Sequence, residues 1–237
     1  MRAIQWDPNG AVLMAVALLS DKLIFPALEN AEPDGLLAIG GDLSVQRLLL
    51  AYQSGIFPWY EEPPILWWYT SPRFVLFPAH LHVAKSMKQV LRQNRFHITT
   101  DHAFEQVIRS CGTTPRKDQT GTWIKAELID AYCELHRQGY AHSAEAWHEG
   151  KLVGGLYGVL LGRVFFGESM FSLIPNASKA AFITFIRECL PRGLQLVDCQ
   201  IYTAHLASLG ARFISGAEFQ RVLRAETQHP PALSIFP

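Results

Sequence analysis

The sequence predicts an α/β protein of the α+β kind, with a mixed sheet behind a small N-terminal α/β domain. Three observations carry this expectation. Residues 140–172 read YAHSAEAWHEGKLVGGLYGVLLGRVFFGESMFS, an alternating stretch with turns at Glu149-Gly150 and Leu161-Gly162, which is the pattern of a three-stranded antiparallel meander. A helical run, a further strand at 195–202 (QLVDCQIY) and two more helices follow, and the order β-β-β-α-β-α suits a sheet covered by helices. Gly and Pro punctuate the first 80 residues (EPDGLLAIGGDLS, SGIFPWY, EEPPILWWYTSPRF), which sets off a loop- and aromatic-rich domain over 1–72 from a larger one over 73–237.

The elements follow in chain order. AVLMAVALLS at 11–20 is too short to span a bilayer. Only Arg2 precedes it as a basic residue, a poor approach for a signal peptide, so it reads as a packed helix. Ser44 is a good N-cap for VQRLLLAYQS, and Gly55 is a natural stop. VAKSMKQVLRQN places Val83, Met87, Val90 and Leu91 on one face. DHAFEQVIRSC, with Asp101 as the cap, gathers Phe104, Val107, Ile108 and Cys111. A polar loop, GTTPRKDQTG, leads into a helix in TWIKAELIDAYCELHRQG that Gly139 closes. After the meander come the helix NASKAAFITFIRECL, the strand at 195–202, a short helical TAHLASLG and a last helix in AEFQRVLRA.

Composition narrows the function. With 49% apolar and 18% charged residues and a net charge of zero, the chain can bury a core and has no global pull toward nucleic acid or membrane. The charge is nevertheless uneven. Residues 73–125 carry nine basic against three acidic side chains, whereas residues 1–72 carry three against eight. Arg73, Lys85, Lys88 and Arg92 therefore belong either to a solvated surface or to a phosphate-contacting face. The four cysteines form no C-x-x-C pair and no zinc pattern, which fits free thiols in a reducing cytosol. No Walker loop, dinucleotide fingerprint, H-E-x-x-H or G-x-S-x-G occurs.

The chemistry-bearing residues sit in apolar runs. On a strand, Asp198 and Gln200 share a face and Cys199 takes the other, so Cys199 reads as a buried, inert thiol. The carboxylate of Asp198 can accept from the Gln200 amide and leave its carbonyl oxygen pointing outward, in a site or in a structural network. Glu168, inside FFGESMFS, suits a cleft wall. Glu145 in AHSAEAW has a core hydrogen-bond partner as its default. Trp59 and Trp123 suit either a core or a pocket.

Several stretches, in order, resemble one family, the leucyl/phenylalanyl-tRNA–protein transferases: GLLAIGGDLS, LLLAYQSGIFPWY, ILWW, GTWI, AHSAEAW, LVGGLYGV, FFGESMFS, NASKAA, VDCQ and HLASLGA, covering roughly residues 25–215. The resemblance implies a small N-terminal domain joined to a domain like the GNAT acetyltransferases. It implies transfer of Leu or Phe, and Met less readily, from aminoacyl-tRNA to proteins with N-terminal Arg or Lys, creating a degradation signal. It implies that Asp198 orients Gln200, whose carbonyl oxygen draws a proton from the attacking amine, and that Glu168 holds the acceptor N-terminus. Trp59 and Trp123 then lie near the aminoacyl-adenosine end, and Leu156, Phe182, Phe185 and Val197 wall the apolar pocket. Arg73, Lys85, Lys88 and Arg92 become the tRNA-backbone candidates. No cofactor or metal is expected, since the ester is already activated, and a cytoplasmic monomer without membrane contact is the simplest form. Two other readings stand beside this one. A catalytically silent binder of tRNA or N-degrons would keep the basic face without turnover. A GNAT-type N-acetyltransferase would need an R/Q-x-x-G-x-G/A pyrophosphate loop, which is absent here.

Overall fold

The structure, a computed structural model, describes residues 5–6, 12–13, 16–114 and 124–229. The chain divides into two compact units, residues 1–71 and 72–237.

In the first unit β1 (Gln5–Trp6) pairs with β2 (Val12–Leu13). A second sheet is built from β3 (Ala17–Leu19), β4 (Leu36–Gly40), β5 (Phe57–Pro58) and β6 (Leu66–Trp68), in the order β3-β4-β6-β5. The described part of 11–20 is thus strand, not the expected helix. Ala17–Leu19 run parallel to Ala38–Gly40, and pairing with a neighbour outweighs the local pattern in so short a segment. Helix α1 (Val45–Ser54) starts where the Ser44 hydroxyl accepts from the Arg47 N–H and ends at Gly55, whose φ is +78°. Trp67 anchors the small core: its Nε1 donates to the Gly40 carbonyl at 2.8 Å, and Phe25 stands edge-on at 5.0 Å.

The second unit contains β7 (Arg73–Leu76), α2 (Lys85–Arg92), β8 (His97–Thr100), α3 (Phe104–Thr113) and α4 (Ala126–Arg137). The meander follows as β9 (Ala141–His148), β10 (Lys151–Leu161) and β11 (Val164–Ser172). Then come α5 (Ala177–Cys189), β12 (Leu196–Asp198), α6 (Ala204–Ser208), β13 (Arg212–Ile214) and α7 (Gly216–Glu226). One seven-stranded sheet orders them β13-β7-β12-β11-β10-β9-β8. The mixed α/β class is therefore as the sequence predicts. The meander lies where the sequence places it, with its first turn at Glu149-Gly150 and its second at Gly162-Arg163, one residue beyond the expected Leu161-Gly162 because Leu161 still pairs with Val164.

Three short strands, β7, β8 and β13, were not expected. Asp101 does not cap α3, which begins at Phe104 after Ala103. Instead Asp101 adopts φ +57° at the end of β8, and its carboxylate holds His142 Nδ1 at 2.6 Å and the Ser143 N–H at 2.8 Å. Two features place the site. The β11–α5–β12 crossover makes β11 and β12 parallel, with Phe166 opposite Asp198, and α5 packs its apolar residues with α2 and β7 in a large core.

Candidate active site

The parallel pair ends early. Pairing runs from Val164↔Leu196 to Phe166↔Asp198 and stops, while β11 continues along β10 as far as Ser172. The two chains part just where the chemistry-bearing residues begin. Open α/β sheets bind ligands at such divergences beyond the carboxyl ends of parallel strands.

Asp198 is the last residue of β12 and is fully buried. Its partner is Arg73 of β7, 1% exposed, which donates from Nε to Oδ1 at 2.8 Å and from Nη2 to Oδ2 at 2.7 Å. This is a two-pronged guanidinium–carboxylate pair, the strong and orienting form of such contacts. The Arg73 guanidinium also lies 4.6 Å from the Phe219 ring centroid in α7. Burial at 1% and a full pairing with Asp198 remove Arg73 from the tRNA-backbone candidates, because a phosphate would have to displace a buried carboxylate.

The relation of Asp198 to Gln200 also needs correction. The strand stops at Asp198, so face alternation does not extend to Gln200. Asp198 Oδ1 instead accepts from the backbone N–H of Gln200 at 3.0 Å, an Asx-type turn. Gln200 is left-handed, with φ +55°. A non-glycine residue pays for that conformation unless its surroundings enforce it, and such residues gather at functional sites. The turn reverses the chain, with the Ile201 N–H donating to the Cys199 carbonyl at 2.7 Å. Cys199 is 6% exposed, and its Sγ donates to the Val197 carbonyl at 3.7 Å. Burial pushes this thiol well above the usual range, so it is no nucleophile at neutral pH.

Glu168 owes its place to a bulge. Tyr157 pairs with Ser169 and Gly158 with Gly167, which leaves Glu168 as the extra residue on β11. Bulges re-aim a side chain at the edge of a site. Gly158 permits it: a Cβ there would lie 2.2 Å from the Phe166 carbonyl oxygen. Glu168 is half-buried, and Oε2 accepts from the buried Tyr132 hydroxyl at 3.0 Å. Glu145, in contrast, is locked into the sheet by Thr99 at 2.6 Å and Ser143 at 2.5 Å.

The remaining expected residues fall into groups. Leu156, Phe182, Phe185 and Val197 are together in one buried cluster on the α5 face of the sheet. Lys85, Lys88 and Arg92 are exposed on one side of α2. Trp59, in the first unit, is 37% exposed, with its ring 5.7 Å from that of Trp68. Trp123 lies outside the described residues. Sequence reasoning missed Arg73 as the partner of Asp198 and missed the bulge. Gly158 within β10 and Gly167 beside Glu168 in β11 were the available signals for the latter.

Comparison with known proteins gives a consistent answer. Residues 75–224 match the family model described as leucyl/phenylalanyl-tRNA protein transferase. Residues 41–71 match the model for the N-terminal domain of the same enzyme. A leucyl/phenylalanyl-tRNA–protein transferase of Syntrophotalea carbinolica is 52% identical over 221 residues, covering 93% of this chain and 96% of the relative. One from Syntrophobacter fumaroxidans is 56% identical, covering 89% and 90%, and one from Pseudomonas putida is 51% identical, covering 93% and 99%. Among solved structures, a GCN5-related N-acetyltransferase-like protein from Streptococcus suis is 15% identical with a TM-score of 0.36, covering 69% of this chain and 61% of its own.

Proposed function

The chain belongs to the leucyl/phenylalanyl-tRNA–protein transferase family, and from that premise we propose that it moves leucine or phenylalanine, and methionine less readily, from aminoacyl-tRNA to the N-terminal Arg or Lys of acceptor proteins. The lengthened protein then carries a degradation signal. The observation that supports this reading is the Arg73–Asp198–Gln200 linkage at the point where β11 and β12 part.

In the reaction the acceptor α-amine attacks the ester carbonyl carbon. A C–N bond forms, the C–O bond to the terminal ribose breaks, and the ribose oxygen leaves with a proton. The ester is already activated, so holding amine and ester in line supplies much of the acceleration. The α-amine has a pKa near about 8, so a modest proton acceptor suffices. Both Asp198 oxygens are engaged by Arg73 and one also by the Gln200 N–H. Asp198 therefore acts as a positioning residue, fixing the left-handed turn that presents Gln200. The Gln200 carbonyl oxygen accepts a hydrogen bond from the attacking amine and helps draw its proton toward the departing ribose oxygen, and Glu168, steadied by Tyr132, meets the cationic acceptor terminus. The cluster of Leu156, Phe182, Phe185 and Val197 supplies an apolar wall that tolerates several large side chains, since shape alone discriminates weakly. Lys85, Lys88 and Arg92 face the tRNA backbone. Trp59 and Trp123 serve the aminoacyl-adenosine end. No described helix is long and apolar enough to cross a membrane, and we place the enzyme in the cytoplasm as a monomer.

The test is transfer of labelled phenylalanine from Phe-tRNA to peptides beginning with Arg or Ala. Labelling of the Arg peptide alone is expected. No labelling of either, beside an active family member, would leave only the silent-binder reading.

A further inference from the structure

Immediately beyond Gln200, the chain exposes large apolar side chains that the transfer chemistry does not use. Ile201 is 42% exposed, Tyr202 57%, and Phe213 in β13 49%. The Tyr202 and Phe213 rings are nearly parallel, 18° apart with centroids 6.2 Å apart. Both lean on Phe74 of β7, at 5.3 Å and 4.9 Å, and Phe74 is only 2% exposed, within the core shared by α2 and α5. The shelf is thus held rigidly from beneath. It belongs to the α2 face of the sheet, because Phe74 and Arg73 are strand neighbours and point to opposite sides.

Arg212, the strand neighbour of Phe213, points to the opposite face, where its guanidinium lies 5.0 Å from the Phe77 ring centroid; the cations that follow from this region are on α2. The segment leading into α2 is stitched to the segment leading into β13: the His82 N–H donates to the Leu209 carbonyl at 2.9 Å, and His82 Nδ1 lies 3.2 Å from the Ser208 carbonyl oxygen. From there the exposed Lys85, Lys88 and Arg92 follow along one side of α2. Stacked aromatics beside a line of cations form the usual surface for single-stranded nucleic acid, in which bases stack on rings and phosphates meet the charges.

We propose that Tyr202 and Phe213 form a stacking shelf for unpaired bases of the tRNA acceptor end. This rests on the transferase reading above. Charge complementarity selects RNA over the acceptor polypeptide as the occupant. A chain beginning with Arg or Lys would bring a cation to a cationic rim, and the carboxylate suited to it, Glu168, is met by Tyr132 of α4.

The test is equilibrium binding of uncharged tRNA, and of a short single-stranded RNA ending in C-C-A, to the wild type and to Tyr202→Ser, Phe213→Ser, the double variant and Tyr202→Phe. The KM values for Phe-tRNA and for the Arg peptide are measured alongside. Loss of a stacked base should weaken both RNAs about tenfold, with Tyr202→Phe near wild type and the peptide KM unmoved. A wild type that transfers, with variants whose RNA affinity is unchanged, would overturn the shelf and leave the transferase reading standing. A rise confined to the peptide KM would also overturn it, giving the surface to the acceptor. Failure of the wild type to bind either RNA would sink shelf and transferase reading together.

Discussion

Each unit buries an arginine, and the two differ in where the partner carboxylate stands. Arg47 of α1 is fully buried; its Nε donates to Asp42 at 3.1 Å and its Nη2 to the Ser20 carbonyl at 2.7 Å. Asp42, however, is 48% exposed. Arg73 is just as buried, but Asp198 is buried with it. The first arginine closes a loop, and its carboxylate can turn to water if released. The second pair has left water entirely, and such pairs add little net stability over an apolar replacement. A buried pair at the end of a strand, one hydrogen bond from a left-handed glutamine, is better explained by what it positions than by what it stabilises.

The largest expected effect breaks this comparison directly. Arg73→Met should cost about 3–5 kcal/mol, because it strands the Asp198 carboxylate away from water. Arg47→Met should cost about 1–2 kcal/mol, the scale of its lost hydrogen bonds. Urea unfolding of both variants measures the gap, and equal losses would erase the distinction. The double change Arg73→Met/Asp198→Leu sharpens it. Stability should largely return, while transfer to the Arg peptide stays about 100-fold down. Recovery of transfer in that variant would make the pair purely structural.

Gln200 comes next. Gln200→Ala should lower kcat about 100-fold, the lower range for a group positioned to assist proton transfer, with tRNA affinity retained. Gln200→Gly should be equally slow yet more stable by up to about 1 kcal/mol, since glycine accepts the left-handed turn without strain. Glu168→Gln should raise the KM for the Arg peptide about tenfold while leaving the Kd for tRNA alone; a fall in kcat with unchanged KM would place Glu168 elsewhere in the reaction.

The same contrast shows what could be read from sequence. Helix α1 was legible because Ser44, its apolar spacing and Gly55 are all local signals. The meander was legible because alternation and Gly turns are local too. Asp198 and Glu168 stood out as carboxylates in apolar runs. Arg73 did not, because it meets Asp198 across 125 residues, and its sequence neighbourhood grouped it with a basic tract. Strands β7, β8 and β13 have four, four and three residues, too few for a period to show. Their existence depends on the neighbours they pair with. Asp101 looked like a cap because a polar residue before an apolar run usually is one; its carboxylate is instead drawn to His142 and Ser143 on the adjacent strand. Residues 11–20 misled for the same reason as the short strands, since an apolar run alone does not tell strand from helix.

The smallest effect concerns the exposed side of the Arg47 pair. Burial works against the Asp42 carboxylate, but hydrogen bonds from Ser44 and the Arg47 guanidinium hold its pKa below the ordinary value. The folded state therefore binds this proton less readily than the unfolded chain, whose carboxylate titrates near about 3.9. The contribution is complete above that value and disappears as pH falls through the lower folded one. Thermal melts of wild type and Asp42→Asn should differ by a constant few degrees or less above about pH 5 and converge below about pH 3. A gap that persists into acid would mean that the Asp42 contact acts through packing and not through its charge.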